Sequence, residues 1–320
     1  MDSIQELYEL TKNIKNEVNK VIIGQEDVID KMLLTIFAGS HALIEGVPGI
    51  AKTLLVKTLG HVIDCENNRI QFTPDMMPSD ITGINIYNMQ IQKFELFKGP
   101  IFTGMLLADE INRAPAKTQS ALLQCMQERL VSIDSTTHSL PDYFTVFATQ
   151  NPIEHEGTYP LPEAQKDRFL LKIDMDYPTL DDEMILAQRM LSDSSPEQTL
   201  KNGEVNKITS MIELIQARKL FNKVIVKDEI IEYIIRIIRN TRNNAALLVG
   251  AGPRATQAML LSARIYAVMQ GRDFVTPDDV KAVAYAILNH RVILRPEFEI
   301  EGISNNEIIE RILIQTAVPR

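Results

Sequence analysis

Residues 46–53, Gly-Val-Pro-Gly-Ile-Ala-Lys-Thr, have the types and spacing needed to hold a chain of phosphates. Gly46, Lys52 and Thr53 meet the pattern G-x-x-x-x-G-K-[ST], with Ala51 where glycine is usual. In a loop entering a helix, backbone N–H groups and the helix N-terminus turn partial positive charge toward phosphate oxygens. Gly46, Val47, Pro48, Gly49, Ile50, Ala51, Lys52, Thr53 and Leu54 form this candidate cradle. Lys52 would reach the β- and γ-phosphates and the Thr53 hydroxyl would sit on Mg²⁺. The Ala51 methyl demands an ordinary helical backbone angle, which the first residue of a helix supplies.

Further along, Met105–Ala108 is an apolar run that ends in Asp109 and Glu110. A strand leaving a parallel sheet at its carboxyl end delivers its last side chains to the ligand crevice. Asp109 would hold Mg²⁺, directly or through water, and Glu110 would activate a water as general base. Acids opening a helix are the competing account, because they complement its dipole. Phe144–Gln150 is a β-rich run before Asn151-Pro152. The Asn151 amide could orient water or touch a γ-phosphate, with Thr149 and Gln150 as substitutes, although a polar strand end before proline is commonly a turn. Arg168 precedes the apolar run 170–173 at what would be a domain edge. Arg254 follows Gly252-Pro253 at a helix start, where a cation is disfavoured unless an anion lies nearby.

These side chains need elements to position them. His41–Ile44 reads as a buried strand and 54–59 as the first turns of a helix, the context a phosphate loop requires. Apolar residues at helical spacing predict a helix over 2–20, then a short strand-like run 21–23 closing at Gly24-Gln25, then a helix through Ile36. Ile23 and Gly24 lie just upstream of the loop, so an adenine-side contact and a plain turn are both open. Strands are expected at 69–72, 105–108, 144–150 and 170–173, and an inserted β-hairpin over 84–97. Pro115 is expected as the first residue of a helix. After Tyr177-Pro178 the pattern turns helical without a buried strand, with 192–206 as a loop. Thr276-Pro277 marks a further helix start and Gly271 a helix end.

With 320 residues, 45% of them hydrophobic, the chain can bury a sizeable core in about two domains. Its 33 Lys and Arg against 42 Asp and Glu give a net charge of -9, so no global basic field draws it to nucleic acid or acidic membranes. Cys65 and Cys125 form no C-x-x-C, and the five histidines fall at no metal-ligand spacing. No apolar signal core opens the chain and no stretch approaches roughly 18 apolar residues, so a cytoplasmic protein without a membrane span is expected.

The ordered set GVPGIAKT (46–53), TPDMMPSDITG (73–83), LLADEINRAPAKTQSALLQCMQE (106–128), ATQNP (148–152), LPEAQKDRF (161–169), GPRA (252–255) and VTPDDVKAVA (275–284) resembles the AAA+ ATPases, and within them the MoxR family. Alanine at position 51 is usual in MoxR loops. The resemblance implies an α/β fold: an αβα P-loop core with a parallel sheet over 1–178, then an all-α lid over 179–320. It implies ATP and Mg²⁺ as ligands, Lys52 and Thr53 as Walker A, Asp109 and Glu110 as Walker B, and Asn151 as sensor 1. Arg254 matches sensor 2, acting on its own subunit's ATP, and Arg168 an arginine finger acting on a neighbour's, so that a ring, usually a hexamer, would be needed. Ile23, Gly24 and Gln25 match the adenine-lining segment, and 84–97 the helix-2 insert hairpin. Arg113 lies near the subunit edge in such folds. ATP hydrolysis would drive remodelling or maturation of partner proteins, often ones with a von Willebrand factor A domain. A nucleic-acid motor and a nucleotide-gated scaffold with little turnover are the alternatives, the first opposed by the acidic balance and the second by the intact Asp109-Glu110 pair.

Overall fold

A computed structural model describes residues 3–152, 158–192 and 194–319. Two compact units divide it: Asn13–Arg168 with Ile173–Met211, and Met1–Lys12 with Phe169–Lys172 and Ile212–Arg320. In chain order, α1 (Ile4–Asn19, shared by the two units), α2 (Glu26–Ala38), β1 (Ala42–Glu45), α3 (Lys52–Val62) and β2 (Asn67–Gln71) come first. Next are α4 (Pro78–Thr82), the hairpin β3 (Gly83–Asn88) and β4 (Lys93–Lys98), β5 (Met105–Asp109), α5 (Ala116–Glu128) and a second hairpin, β6 (Leu130–Ile133) and β7 (Thr136–Ser139). β8 (Thr145–Gln150), α6 (Glu163–Lys166), β9 (Leu171–Asp174), α7 (Leu180–Leu191) and α8 (Pro196–Lys201) follow.

A five-stranded sheet in the order β2-β5-β8-β1-β9 forms the core of the first unit. The pairs β2–β5, β5–β8 and β1–β8 are parallel. Leu43, Ile44, Leu106, Leu107, Val146 and Phe147 are each at most 1% exposed, because helices cover both faces of such a sheet and its strands read as continuous apolar runs. The order sets the C-terminal ends of β1, β5 and β8 side by side, so Gly46, Asp109 and Asn151 leave one edge together. A β-carbon on Gly46 would lie 2.5 Å from the Met175 carbonyl oxygen, which is why the first loop position admits only glycine.

The second unit contains α9 (Met211–Phe221), α10 (Asp228–Asn243), β10 (Leu247–Val249), α11 (Pro253–Met269), α12 (Pro277–Leu288), β11 (Ile293–Leu294), α13 (Pro296–Ile300) and α14 (Asn305–Gln315). Along α10, Ile230, Tyr233, Ile234, Ile237, Ile238 and Thr241 are buried at helical spacing, and α10 packs on α11 and α14. Thr276 caps α12 in a reciprocal box with Asp279, whose carboxylate also accepts from both terminal nitrogens of Arg272, at 2.6 and 2.5 Å.

Several local expectations need correction. Residues 21–23 form a turn and extended chain, with no partner strand beside them among the described residues. The stretch 192–206 contains α8, started by Ser195 with Pro196 and a reciprocal Gln198 contact. The second unit holds a small antiparallel pair, β10–β11, too short to show as an apolar strand run. Pro115 stands at the N-cap of α5, one position earlier than expected. The remaining expected strands and the hairpin form where the pattern placed them.

Candidate functional site

The loop between β1 and α3 positions Lys52 and Thr53 at the first two residues of α3. Ala51, just before them, has φ 63 and ψ 23, a left-handed conformation and not the helical angle expected of it. The chain must reverse sharply to start α3, and the conformation it uses there is the one glycine adopts without cost. Glycine's usual presence at this place in the motif follows from that geometry, and alanine supplies it under strain.

A cavity of about 430 Å³ opens beside this loop. Lys52, Thr53, Asp109, Glu110, Thr149 and Asn151 line it, with Arg69 and Gln71 from β2 and Glu197 from α8. Register explains the β2 pair: Gln71 lies opposite Asp109, so Arg69 and Gln71 face the ends of β5. Arg69 donates to Asp109 Oδ2 through Nη2 at 2.7 Å and Nε at 3.2 Å, while the Thr149 hydroxyl donates to Asp109 Oδ1 at 2.5 Å. Glu110 Oε2 accepts from Gln71 Nε2 at 2.6 Å and pairs with Arg113 Nε at 2.9 Å. The Glu110 backbone N–H donates to Thr149 Oγ1 at 2.9 Å, fixing a left-handed turn at φ 56. Lys52 Nζ donates to the Gly46 carbonyl oxygen. Burial holds the Lys52 ammonium below the ordinary lysine range, against the pull of Asp109, Glu110 and Glu45.

A second cavity, about 270 Å³, shares Pro48, Gly49, Ala51 and Leu54 with the first. Its wall is mainly apolar, from Val21, Ile22, Ile23, Tyr177, Pro178 and Leu186, and Gln25 and Glu183 supply polar atoms. Gln25 is itself anchored, donating from Nε2 to the Asp176 carbonyl oxygen at 3.0 Å. One polar hollow adjoining one apolar hollow suits a molecule with a charged end and a flat, weakly polar end.

Most residues singled out in the sequence meet here. Gly46 and Val47 belong to the same loop, Ile50 and Ile23 line the apolar cavity, and Gly24 lies between Ile23 and Gln25 at φ 72. Arg168 is half-buried in the turn after α6. Arg254 is an exposed residue in the first turn of α11, in the helical unit. Neither arginine lines these two cavities. Arg69, Gln71 and Glu197 are additions; the alternation Arg69-Ile70-Gln71 on one strand and the Ser195–Gln198 capping spacing were the signals for them. Thr53 and Asp109 offer hard oxygens, which suits Mg²⁺, an ion that takes one or two protein oxygens and completes its shell with water and phosphate. Among the described residues no cluster of three or more His, Cys, Asp or Glu could hold a metal by itself. His155 lies outside the described residues.

Comparison with known proteins matches residues 41–171 to the ATPase family associated with various cellular activities (AAA) and 239–312 to the AAA lid domain. Chaperone MoxR1 of Mycobacterium tuberculosis is 41% identical over 314 residues, covering 95% of this chain and 81% of its own. Protein YeaC of Bacillus subtilis is 41% identical over 315 residues, covering 98% and 97%. The crystal structure of a presumptive ATPase from Cytophaga hutchinsonii superposes with a TM-score of 0.90 at 44% identity, covering 99% of this chain and 97% of that one. With a parallel αβα sheet, a helical lid and relatives of this closeness, the chain belongs to the MoxR branch of the AAA ATPases.

Proposed function

We propose that this chain binds ATP with Mg²⁺ and hydrolyses it, as one subunit of a ring that remodels or matures partner proteins. The observation that carries the reading is the pair of joined cavities: Lys52, Thr53, Asp109, Glu110 and Asn151 converge on the polar one, and an apolar one of adenine-like character adjoins it. In this reading residues 1–178 supply the nucleotide-binding domain and 179–320 the lid. Ile23, Gly24 and Gln25 lie along adenine, and residues 46–54 wrap the phosphates. Bound through Thr53 and Asp109, Mg²⁺ would neutralise charge on the phosphate oxygens. Glu110 takes a proton from the attacking water, Asn151 orients that water, and Lys52 stabilises the phosphoryl group. Arg254 reaches the γ-phosphate of its own subunit and Arg168 that of its neighbour. A finger supplied in trans is worth about 10³ to 10⁵ in rate, so turnover depends on assembly, with a hexamer as the proposed ring. Protein clients, among them von Willebrand factor A domain proteins, are proposed from the chaperone name of one relative and from the family resemblance.

A second reading, a nucleotide-gated scaffold, draws on one observation: Gln71 and Arg113 both hold Glu110, so the base must be released before it can act. ATP turnover and nucleotide binding of wild type, Glu110→Gln and Arg168→Ala, measured across protein concentration with mass in parallel, separate the two. Activity that rises with assembly and falls at least about 10³-fold in both variants, with binding retained, supports the ring ATPase. Tight binding without turnover in assembled wild type would favour the scaffold. Activity independent of concentration that survives Arg168→Ala would sink the trans-acting finger.

A further inference from the structure

Arg168 sits at a seam in the chain. Its N-terminal side is tied to α6, with the Asp167 and Arg168 N–H groups donating to the Glu163 and Gln165 carbonyls at 3.2 Å. Immediately beyond it, Phe169–Lys172 clusters with the helical unit, although its last two residues, Leu171 and Lys172, already open β9 of the sheet. Phe169 is fully buried, and two residues in the turn just after α12 grip the backbone there. Arg291, 9% exposed, donates from Nη2 to the Phe169 carbonyl at 2.6 Å and from Nη1 to the Leu170 carbonyl at 3.0 Å. The same Nη1 donates to the Ile287 carbonyl in α12 at 2.6 Å. His290 Nε2 meets the Phe169 carbonyl at 3.1 Å. One guanidinium thus bolts the segment after Arg168 to the last turn of α12, and α12 packs on α11, the helix that starts with Pro253-Arg254.

A planar guanidinium is suited to this because its donors lie in a fixed fork, and buried charge-assisted hydrogen bonds resist rearrangement. Consecutive Cα atoms are about 3.8 Å apart, so the gripped Phe169 peptide is one step from the Arg168 Cα. The peptide that Arg291 holds is therefore the first one after Arg168, between its tie to α6 and the start of β9.

We propose that Arg291 is a positioning residue for Arg168: by holding the carbonyls of Phe169 and Leu170, it makes the orientation of the finger that one subunit offers its neighbour follow the state of that subunit's own helical unit. This rests on the reading of Arg168 as a trans-acting finger. A subunit whose lid has closed on nucleotide would present its finger differently from one whose lid is open, which relays occupancy around the ring in one direction.

The test uses mixed rings of full-length subunits. A donor carrying Glu110→Gln has no working site but an intact Arg168; an acceptor carrying Arg168→Ala has a working site but no finger. Each alone is inactive, and the mixture recovers turnover. Adding Arg291→Met to the donor is expected to lower the kcat of the mixture by about 10²-fold, the cost of misplacing a catalytic group by roughly 1 Å, with KM within about twofold. Arg291→Lys in the donor is expected to recover part of the loss. Adding Arg291→Met to the acceptor instead is expected to change kcat by less than about threefold, because that subunit contributes no finger. Equal losses from either side would mark Arg291 as a structural residue only and overturn the proposal, as would full activity with the donor variant. Failure of the unmodified mixture to recover turnover would instead remove the trans-finger reading, and the proposal with it.

Discussion

Two sets of β-strands in the same unit use nearly the same residue types and meet opposite fates. In β1, β5 and β8 the isoleucines, leucines and phenylalanines are sealed beneath helices. In the β3–β4 hairpin, Ile84, Ile86, Phe94 and Phe97 are 46, 48, 71 and 68% exposed, and Met89 at its tip is 85% exposed. The difference is topological. Parallel strands require crossovers long enough to form helices, and those helices cover the sheet. An antiparallel hairpin closes through a short turn and brings no cover of its own. Apolar content therefore identifies a strand without saying whether it is core, and a patch left open at this scale is commonly a contact surface.

Four measurements would break or sharpen that contrast. Phe147→Ala removes a fully buried ring from β8 and should cost about 3–5 kcal/mol in denaturant unfolding of the first unit. A much smaller loss would mean that the sheet is less tightly sealed than its burial indicates.

The N-terminal ends of β1 and β8, in the interior of the sheet, also carry a buried polar fixture. His41, just before β1, accepts the Val146 N–H at Nδ1 (3.0 Å) and donates from Nε2 to the Met126 carbonyl (3.0 Å). This arrangement needs the neutral ring, and burial pushes its pKa down from 6.5 to about 4. The unfolded chain takes up a proton near pH 6.5 while the folded one declines it until about pH 4. The stabilisation is thus complete above pH 6.5 and drains away as pH falls toward 4. By pH 5 the wild type should have lost about 2 kcal/mol relative to its own value at pH 7.5, beyond any loss in His41→Gln. Parallel pH profiles for the two proteins would refute this.

Ala51→Gly relieves a left-handed alanine and should stabilise the unit by about 0.5–1 kcal/mol. A destabilisation would show that the loop does not hold that conformation in solution. At the small end, Met89→Ser or Phe97→Ser should shift unfolding by less than about 0.5 kcal/mol each, since neither side chain is covered. A larger cost would place the hairpin in the core after all.

Much of this architecture was legible in the residues. The five sheet strands, the hairpin and the grouping of Lys52, Thr53, Asp109, Glu110 and Asn151 around one cavity could be read because Asp109, Glu110 and Asn151 close apolar strands and Lys52 and Thr53 follow a glycine-containing loop into α3, each a local signature. What escaped was of two kinds. Arg69 and Gln71 reach the site only through the register of β2 against β5, a long-range pairing that local pattern does not encode. Ala51 and α8 escaped for local reasons: a strained backbone angle invisible in composition, and a six-residue helix in a polar stretch whose capping box outweighed its lack of an apolar stripe. The grip of Arg291 on Phe169 belongs to the first kind, joining residues 122 positions apart.

At the root of the exposed hairpin, Gly83 and Gly99 leave no room for change. A β-carbon on Gly83 would lie 2.2 Å from the Phe97 carbonyl oxygen, and one on Gly99 would lie 2.2 Å from that of Ile81. Between these two fixed points the strands carry side chains that the fold hardly uses. The exposed positions between them can therefore change while the root is held by backbone contact, much as an interchangeable bit is held in a standard socket. A library randomised over the exposed positions of that segment, with both glycines kept, would yield folded proteins at high frequency, each presenting a different surface on an unaltered core.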